Sequence, residues 1–213
     1  MPDWYRKKTW TKADEEEYFT KLARARENNR AQYLRVQAAI LVATGDPKLL
    51  DGAESLIEKL FSDYPENKFE RSVSLTILGD ICKLRKQPDK ALEYYKAAME
   101  FEEIYPNVQT SAYLDFSELV VKLKKQEYYE FAEDLLVKRV DSSGFVFPNA
   151  GYKAFSLLAI FSHYKGNKEM AKQFAALAEK NASAETSGLR YHKSLGVVTN
   201  RDDLLDFLMT GGE

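Results

Sequence analysis

Cysteine is almost missing: Cys82 stands alone among 213 residues, which excludes an intramolecular disulfide. Histidine occurs twice, at His163 and His192, so the imidazole-based pairs and clusters of nucleophilic and metal sites have few places to form. No apolar run approaches the roughly eighteen residues of a membrane span. Neither sign of charge dominates. Lys and Arg number 31 against 33 Asp and Glu, a formal net charge of −2, whereas binders of nucleic acid or anionic membranes carry a basic surplus. The ten glycines are scattered and make no phosphate loop. The opening Met1 to Lys8 sets no apolar stretch behind its basic residues, so no secretory signal is expected. These absences predict a cytoplasmic protein with no cofactor, no metal, and neither nucleic acid nor membrane as partner.

What the chain does have is helical periodicity that repeats. Ala53, Ala91, Ala132 and Ala171 fall 38, 41 and 39 residues apart, each about a turn into an amphipathic helix that follows another. A small side chain belongs where two helices cross most closely. Thr11 with Asp14 three residues on reads as a capping box that opens a helix to about Asn28, with Tyr18, Phe19, Leu22 and Ala25 on its apolar face. Helix pairs are then expected near 31–44 and 48–62, 69–85 and 88–104, 108–125 and 127–140, and 150–165 and 168–182. Gly45-Asp46-Pro47 and Gly166-Asn167 supply stops and starts, and Pro88 suits a first turn. A short helix near 201–209 closes the chain. Only Phe145 to Phe147 and Leu195 to Val198 carry strand-like alternation. The expectation is one all-α domain: an aromatic segment and leading helix (1–30), four helix pairs (31–182), and a loop with a capping helix (183–213).

The second pair resembles a tetratricopeptide repeat (TPR). Leu75, Leu78 and Gly79 stand at the W, L and G places of the W-x2-L-G-x2-Y pattern, Cys82 replaces its tyrosine, and Ala91, Tyr95 and Ala98 match the second helix. The fourth pair follows with Phe155, Leu158, Ala159, Ala171 and Ala178. The first follows with Ile40, Leu41, Ala53, Ile57 and Pro65. The third is loosest, with Phe116, Leu119, Val120, Ala132 and Leu136, and with Arg139 at a small-residue place. The resemblance covers about 31–182 and implies a right-handed α-solenoid of four hairpins, divergent because its period exceeds the usual 34 or so residues. The ends, Asp3-Trp4-Tyr5-Arg6, Trp10, Leu189-Arg190-Tyr191-His192 and Leu195-Gly196-Val197-Val198, resemble a group of uncharacterised bacterial TPR proteins, some similar to immunity partners of secreted toxins.

Chemistry is thinly represented. His163 reads as a helix-terminal residue, His192 as packing beside Tyr191, and Cys82 as an inert inward thiol. Asp14 to Glu17 reads as a solvated helix start. Trp4, Tyr5 and Trp10 either fold back on the first pair or form an exposed patch. No enzyme is expected. In TPR arrays the first helix of each pair lines a groove, and the family's offsets select Arg35 and Ala38; Thr76, Asp80 and Lys83; Ser117, Val121, Lys124 and Lys125; and Lys153, Ser156, Ile160 and His163. Arg35 and the lysines are the expected steering charges, with Val121, Ile160, Phe145 and Phe147 as apolar anchors. The implied function is non-catalytic binding of another protein, a toxin effector domain foremost. An adaptor or assembly chaperone is the alternative.

Overall fold

The computed structural model describes residues 3–143 and 147–212. Among them are ten α-helices and no strand, so the all-α expectation holds. Leu195 to Val198 is loop, and Phe145 and Val146 lie outside the described residues. No helix is long and apolar enough to cross a membrane among the described residues. The chain divides into two compact units, Met1–Ala112 and Tyr113–Glu213.

The first unit holds α1 (Lys12–Arg24), α2 (Glu27–Ala43), α3 (Leu50–Asp63), α4 (Lys68–Leu84) and α5 (Pro88–Ile104). The capping box of α1 forms as expected: Asp14 N–H donates to Thr11 Oγ1 at 3.2 Å, and Thr11 N–H donates to the Asp14 carboxylate at 3.0 Å. The helix stops earlier than expected because Arg30 donates to the carbonyls of Ala23 (2.8 Å) and Ala25 (3.0 Å), which closes its last turn. Ahead of it the aromatic segment folds inward. Trp4 and Trp10 each set their rings 5.3 Å from that of wholly buried Tyr18, and Tyr5 stacks on Tyr33 at 4.4 Å. Helix α2 packs on α3, α4 on α5, and α4 also on α2 and α3.

The second unit holds α6 (Ala112–Lys122, whose first residue closes the other unit), α7 (Tyr129–Ser143), α8 (Pro148–Tyr164), α9 (Lys168–Ala182) and α10 (Asp203–Met209). Helix α8 packs on α9, α7 and α10. The apolar stripes of these helices meet in cores that include Phe116, Leu136, Leu157 and Phe161, each nearly devoid of exposure. Burial of this kind, at about 25 cal/mol per Å² of apolar area, holds helices that are individually marginal.

One local design closes three helices in full and a fourth in part. Helix α4 ends with Lys86 in the left-handed region (φ 58°), Lys86 N–H on Lys83 O at 3.1 Å and Gln87 N–H on Cys82 O at 2.9 Å. The same pair of bonds closes α6 around Lys124 (φ 53°) and α8 around Gly166 (φ 75°). Helix α2 differs only at its last bond: Gly45 N–H reaches Val42 O, but Asp46 N–H turns to Thr44 Oγ1. Counting inward from these stops puts Ala38, Gly79, Ser117 and Ala159 at equivalent places, all buried. They face the helices that carry Ala53, Ala91, Ala132 and Ala171, each wholly buried. Ser117 Oγ lies 3.5 Å from Ala132 O.

This register corrects the sequence alignment in two pairs. A three-residue 3-10 turn, Pro47–Leu49 in one case and Gln126–Tyr128 in the other, separates the helices of the first and third pairs. The other two pairs have none. Counting back from Ala53 and Ala132 with the spacing of the second pair therefore lands three residues too far along α2 and α6. Ala38 and Ser117, not Leu41 and Val120, take the place of Gly79.

Candidate functional site

In the first unit the expected groove residues are tied to their own fold. Arg35 Nε donates to Glu70 Oε2 at 2.7 Å and so links α2 to α4. Asp80 accepts from the hydroxyl of buried Tyr95 at 2.7 Å and pairs with Lys83 at 3.3 Å. Lys83 keeps an exposed ammonium 5.9 Å over the Tyr95 ring. Thr76 Oγ1 reaches Thr110 Oγ1 at 3.2 Å.

In the second unit the expected residues separate into three groups. Val121 and Ile160, chosen as exposed anchors, retain 1% and 7% exposure. They are core positions, because the helical stops place them on faces that neighbouring elements cover. Phe147 is half-buried, and Phe145 lies outside the described residues. His163 and Ser156 face the chain's own last helix, with His163 Nε2 3.1 Å from Met209 O and Ser156 Oγ 3.4 Å from Met209 Sδ. Lys124 and Lys125 occupy the turn after α6, with Lys124 exposed and Lys125 half-buried.

Lys153 belongs to a charged cleft of about 360 Å³ that the α8 residues Asn149, Tyr152 and Lys153, Glu118 of α6, the segment from Val197 to Asp202 and Leu205 line. Its ammonium sits 2.6 Å from Glu118 and 3.8 Å from Asp115. Lys122 bridges Glu118 and Asp202, both at 2.6 Å. Asp202 also accepts from the N–H groups of Leu204 and Leu205, which starts α10. Tyr152 donates to Asp206 at 2.8 Å and accepts from Asp202 N–H at 3.0 Å. Arg201 grips Glu179 with two nitrogens and Asp206 with its Nε at 2.7 Å.

The electrostatics follow from mutual neutralisation. Burial pushes the Glu118 carboxyl up, but Lys153 and Lys122 outweigh it and hold the group below its ordinary range. Burial likewise pulls Lys153 down, and Glu118 and Asp115 raise it above its ordinary value. Burial, reinforced by Asp206, pushes the Tyr152 phenol up to about 12. A cleft whose cations and anions are matched in this way fixes the C-terminal segment on α6 and α8. Of its members only Lys153 is visible in advance. Glu118 and Lys122 could have been found as an i, i+4 pair on α6. Asp202, eighty residues from its partner Lys122, leaves no local signal.

No group of three or more His, Cys, Asp or Glu side chains suited to a metal ion occurs among the described residues. Burial raises the Cys82 thiol above its ordinary value, which disfavours the reactive thiolate. No family model, curated protein or solved structure matches the chain.

Proposed function

We propose that the chain is a divergent TPR-like, right-handed α-solenoid that works by binding another protein, a toxin effector domain that it holds inactive. The observation that carries this reading is the fourfold recurrence of one pair of buried small residues, Ala38 with Ala53 through Ala159 with Ala171, at a stop geometry complete in three helices and partial in α2. Repeats of this kind present rows of side chains to a partner. Lys83, Lys124 and Lys125 are the steering charges in this reading, since attraction from a surface cation mainly raises the association rate. The toxin sub-type draws its support from the resemblance of the chain's ends.

Co-expression with a toxin encoded beside the gene tests the proposal. Growth should recover and the two proteins should co-purify. Growth arrest with both proteins present at equal levels overturns the toxin reading. Co-purification with a subunit of a neighbouring secretion operon makes the chain an adaptor instead. A hydrolase activity that survives purification and disappears in His163→Ala or His192→Ala would overturn the non-catalytic reading altogether.

A further inference from the structure

From Thr186 to Arg201 the chain carries no carboxylate side chain, although acidic residues outnumber basic ones over its whole length. The structure closes the middle of this stretch into a tied loop. Ser187 N–H donates to Lys193 O at 2.7 Å, and Ser187 Oγ donates to His192 O at 3.0 Å. Its base is pinned to α8, where Asn149 N–H donates to Gly196 O at 2.8 Å. Gly196 has a positive φ of 75° and lies so close to Phe147 that a Cβ would stand 2.6 Å from Phe147 Cβ. Both the conformation and the contact therefore require glycine there. A loop with its ends held in this way presents its tip in a defined shape at lower ordering cost.

The tip is exposed from Arg190 through Leu195, and it borders an open cleft of about 730 Å³ whose lining includes no acidic residue. Tyr191 is 79% exposed and Leu195 54%. Lys122, Lys153, Lys165 and Arg201, in the same unit, each have carboxylate partners. Among the described residues Arg190 and Lys193 have none, as is also true of Lys124, Lys168, Lys172 and Lys180; the loop pair differs in having no acidic residue along its own cleft, and the Arg190 guanidinium rests 5.2 Å over the Tyr191 ring.

We propose that this loop is a docking element for an acidic segment of the partner protein: Arg190 and Lys193 take carboxylates, while Tyr191 and Leu195 cover an adjoining apolar side chain. The proposal rests on the reading that the chain binds another protein, and it adds where and by what chemistry. Arginine and tyrosine are the residue types on which interface energy concentrates. A nucleic acid fits less well, because the two cations of this loop on an acidic chain do not offset a polyanion's repulsion from the rest of the surface.

The test uses the full chain and a short fluorescein-labelled peptide of glutamates and leucines, read by fluorescence anisotropy. A glutamine analogue and oligothymidylate serve as comparison probes. The wild-type chain should bind the acidic peptide more tightly than either comparison, and affinity should fall as salt rises. Arg190→Glu with Lys193→Glu should weaken binding by roughly tenfold or more. Tyr191→Ala should weaken it several-fold, and the circular dichroism and melting temperature of both variants should stay as in wild type. Backbone amide shifts on titration should cluster between Ser187 and Gly196. Failure of the wild-type chain to bind the peptide, tighter binding of oligothymidylate, or unchanged affinity in the doubly reversed loop would each overturn the proposal. If Lys124→Glu with Lys125→Glu abolishes peptide binding while the loop variant retains it, the loop assignment falls and the protein-binding reading survives. If the loop variant alone loses the peptide but the chain neither rescues growth nor co-purifies with a toxin, the toxin reading falls and the loop assignment stands.

Discussion

Gly79 faces the ring of Tyr95 so closely that a Cβ at position 79 would stand 2.6 Å from Tyr95 Cδ1. The ring has no room to withdraw. Tyr95 is wholly buried, and its hydroxyl is held by Asp80 at 2.7 Å. Gly79→Ala would ordinarily favour a helix, but here overpacking should dominate and destabilise the first unit by about 1–3 kcal/mol. Urea unfolding should show the lower midpoint. A variant as stable as wild type would mean that α4 and α5 can part without cost.

The same logic applies where the following helices cross. Ala91 and Ala171 have no exposed surface, so leucine at either place should cost about 1–3 kcal/mol by forcing helices apart. Ala176, exposed on α9, provides the control, and leucine there should change stability little. Equal melting temperatures for all three variants would contradict the crossing geometry.

Much of this packing was legible because small residues at helical spacing report directly on helix contact. Ala53, Ala91, Ala132 and Ala171 were read from the sequence, and each proves wholly buried. The register of α2 and α6 was not legible. A 3-10 turn such as Pro47–Leu49 or Gln126–Tyr128 adds three residues without a compositional mark that separates it from the start of a helix. The groove was less legible still. Offsets along α8 chose Ser156, Ile160 and His163 without anticipating that α10 would lie on α8, since no local pattern links Tyr152 to Asp206 or His163 to Met209. The aromatic start, by contrast, left two readings open, and packing of Trp4 and Trp10 against Tyr18 decides for folding back.

Lys86 and Lys124 both hold a positive φ, 58° and 53°, a region that disfavours residues with a Cβ by about 1–2 kcal/mol. Glycine suits both turns. Lys86→Gly and Lys124→Gly should each raise stability by about 0.5–1 kcal/mol, seen as a higher urea midpoint. The two should part company in function if Lys124 is a steering charge. Lys124→Gly should then slow association with the partner while Lys86→Gly leaves it unchanged. Identical association rates in both variants and wild type would remove Lys124 from the binding surface.

The final expectation concerns acid. Burial opposes the charged form of both Glu118 and Asp202, but Lys153 and Lys122 hold Glu118 below its ordinary value, and Lys122 with the N–H groups of Leu205 and Leu204 does the same for Asp202. A depressed carboxylate stabilises the fold above its unfolded pKa, about 4, and that contribution disappears as pH falls through the lower folded value. The second unit should therefore lose stability as pH is lowered from neutrality into the range below about 4. Glu118→Gln removes one of these groups and leaves Lys153, 70% covered, with only the more distant Asp115 at 3.8 Å. At neutral pH that should cost about 1–3 kcal/mol, because a partly buried cation loses its nearest anion. The variant should also show a shallower acid limb than wild type, with the two curves converging as Glu118 becomes protonated in the latter. Lys153→Met in the Glu118→Gln background should recover part of the loss, since neither charge is then left unpaired. Parallel acid limbs in wild type and Glu118→Gln would show that the charged cleft does not set the acid response of this unit.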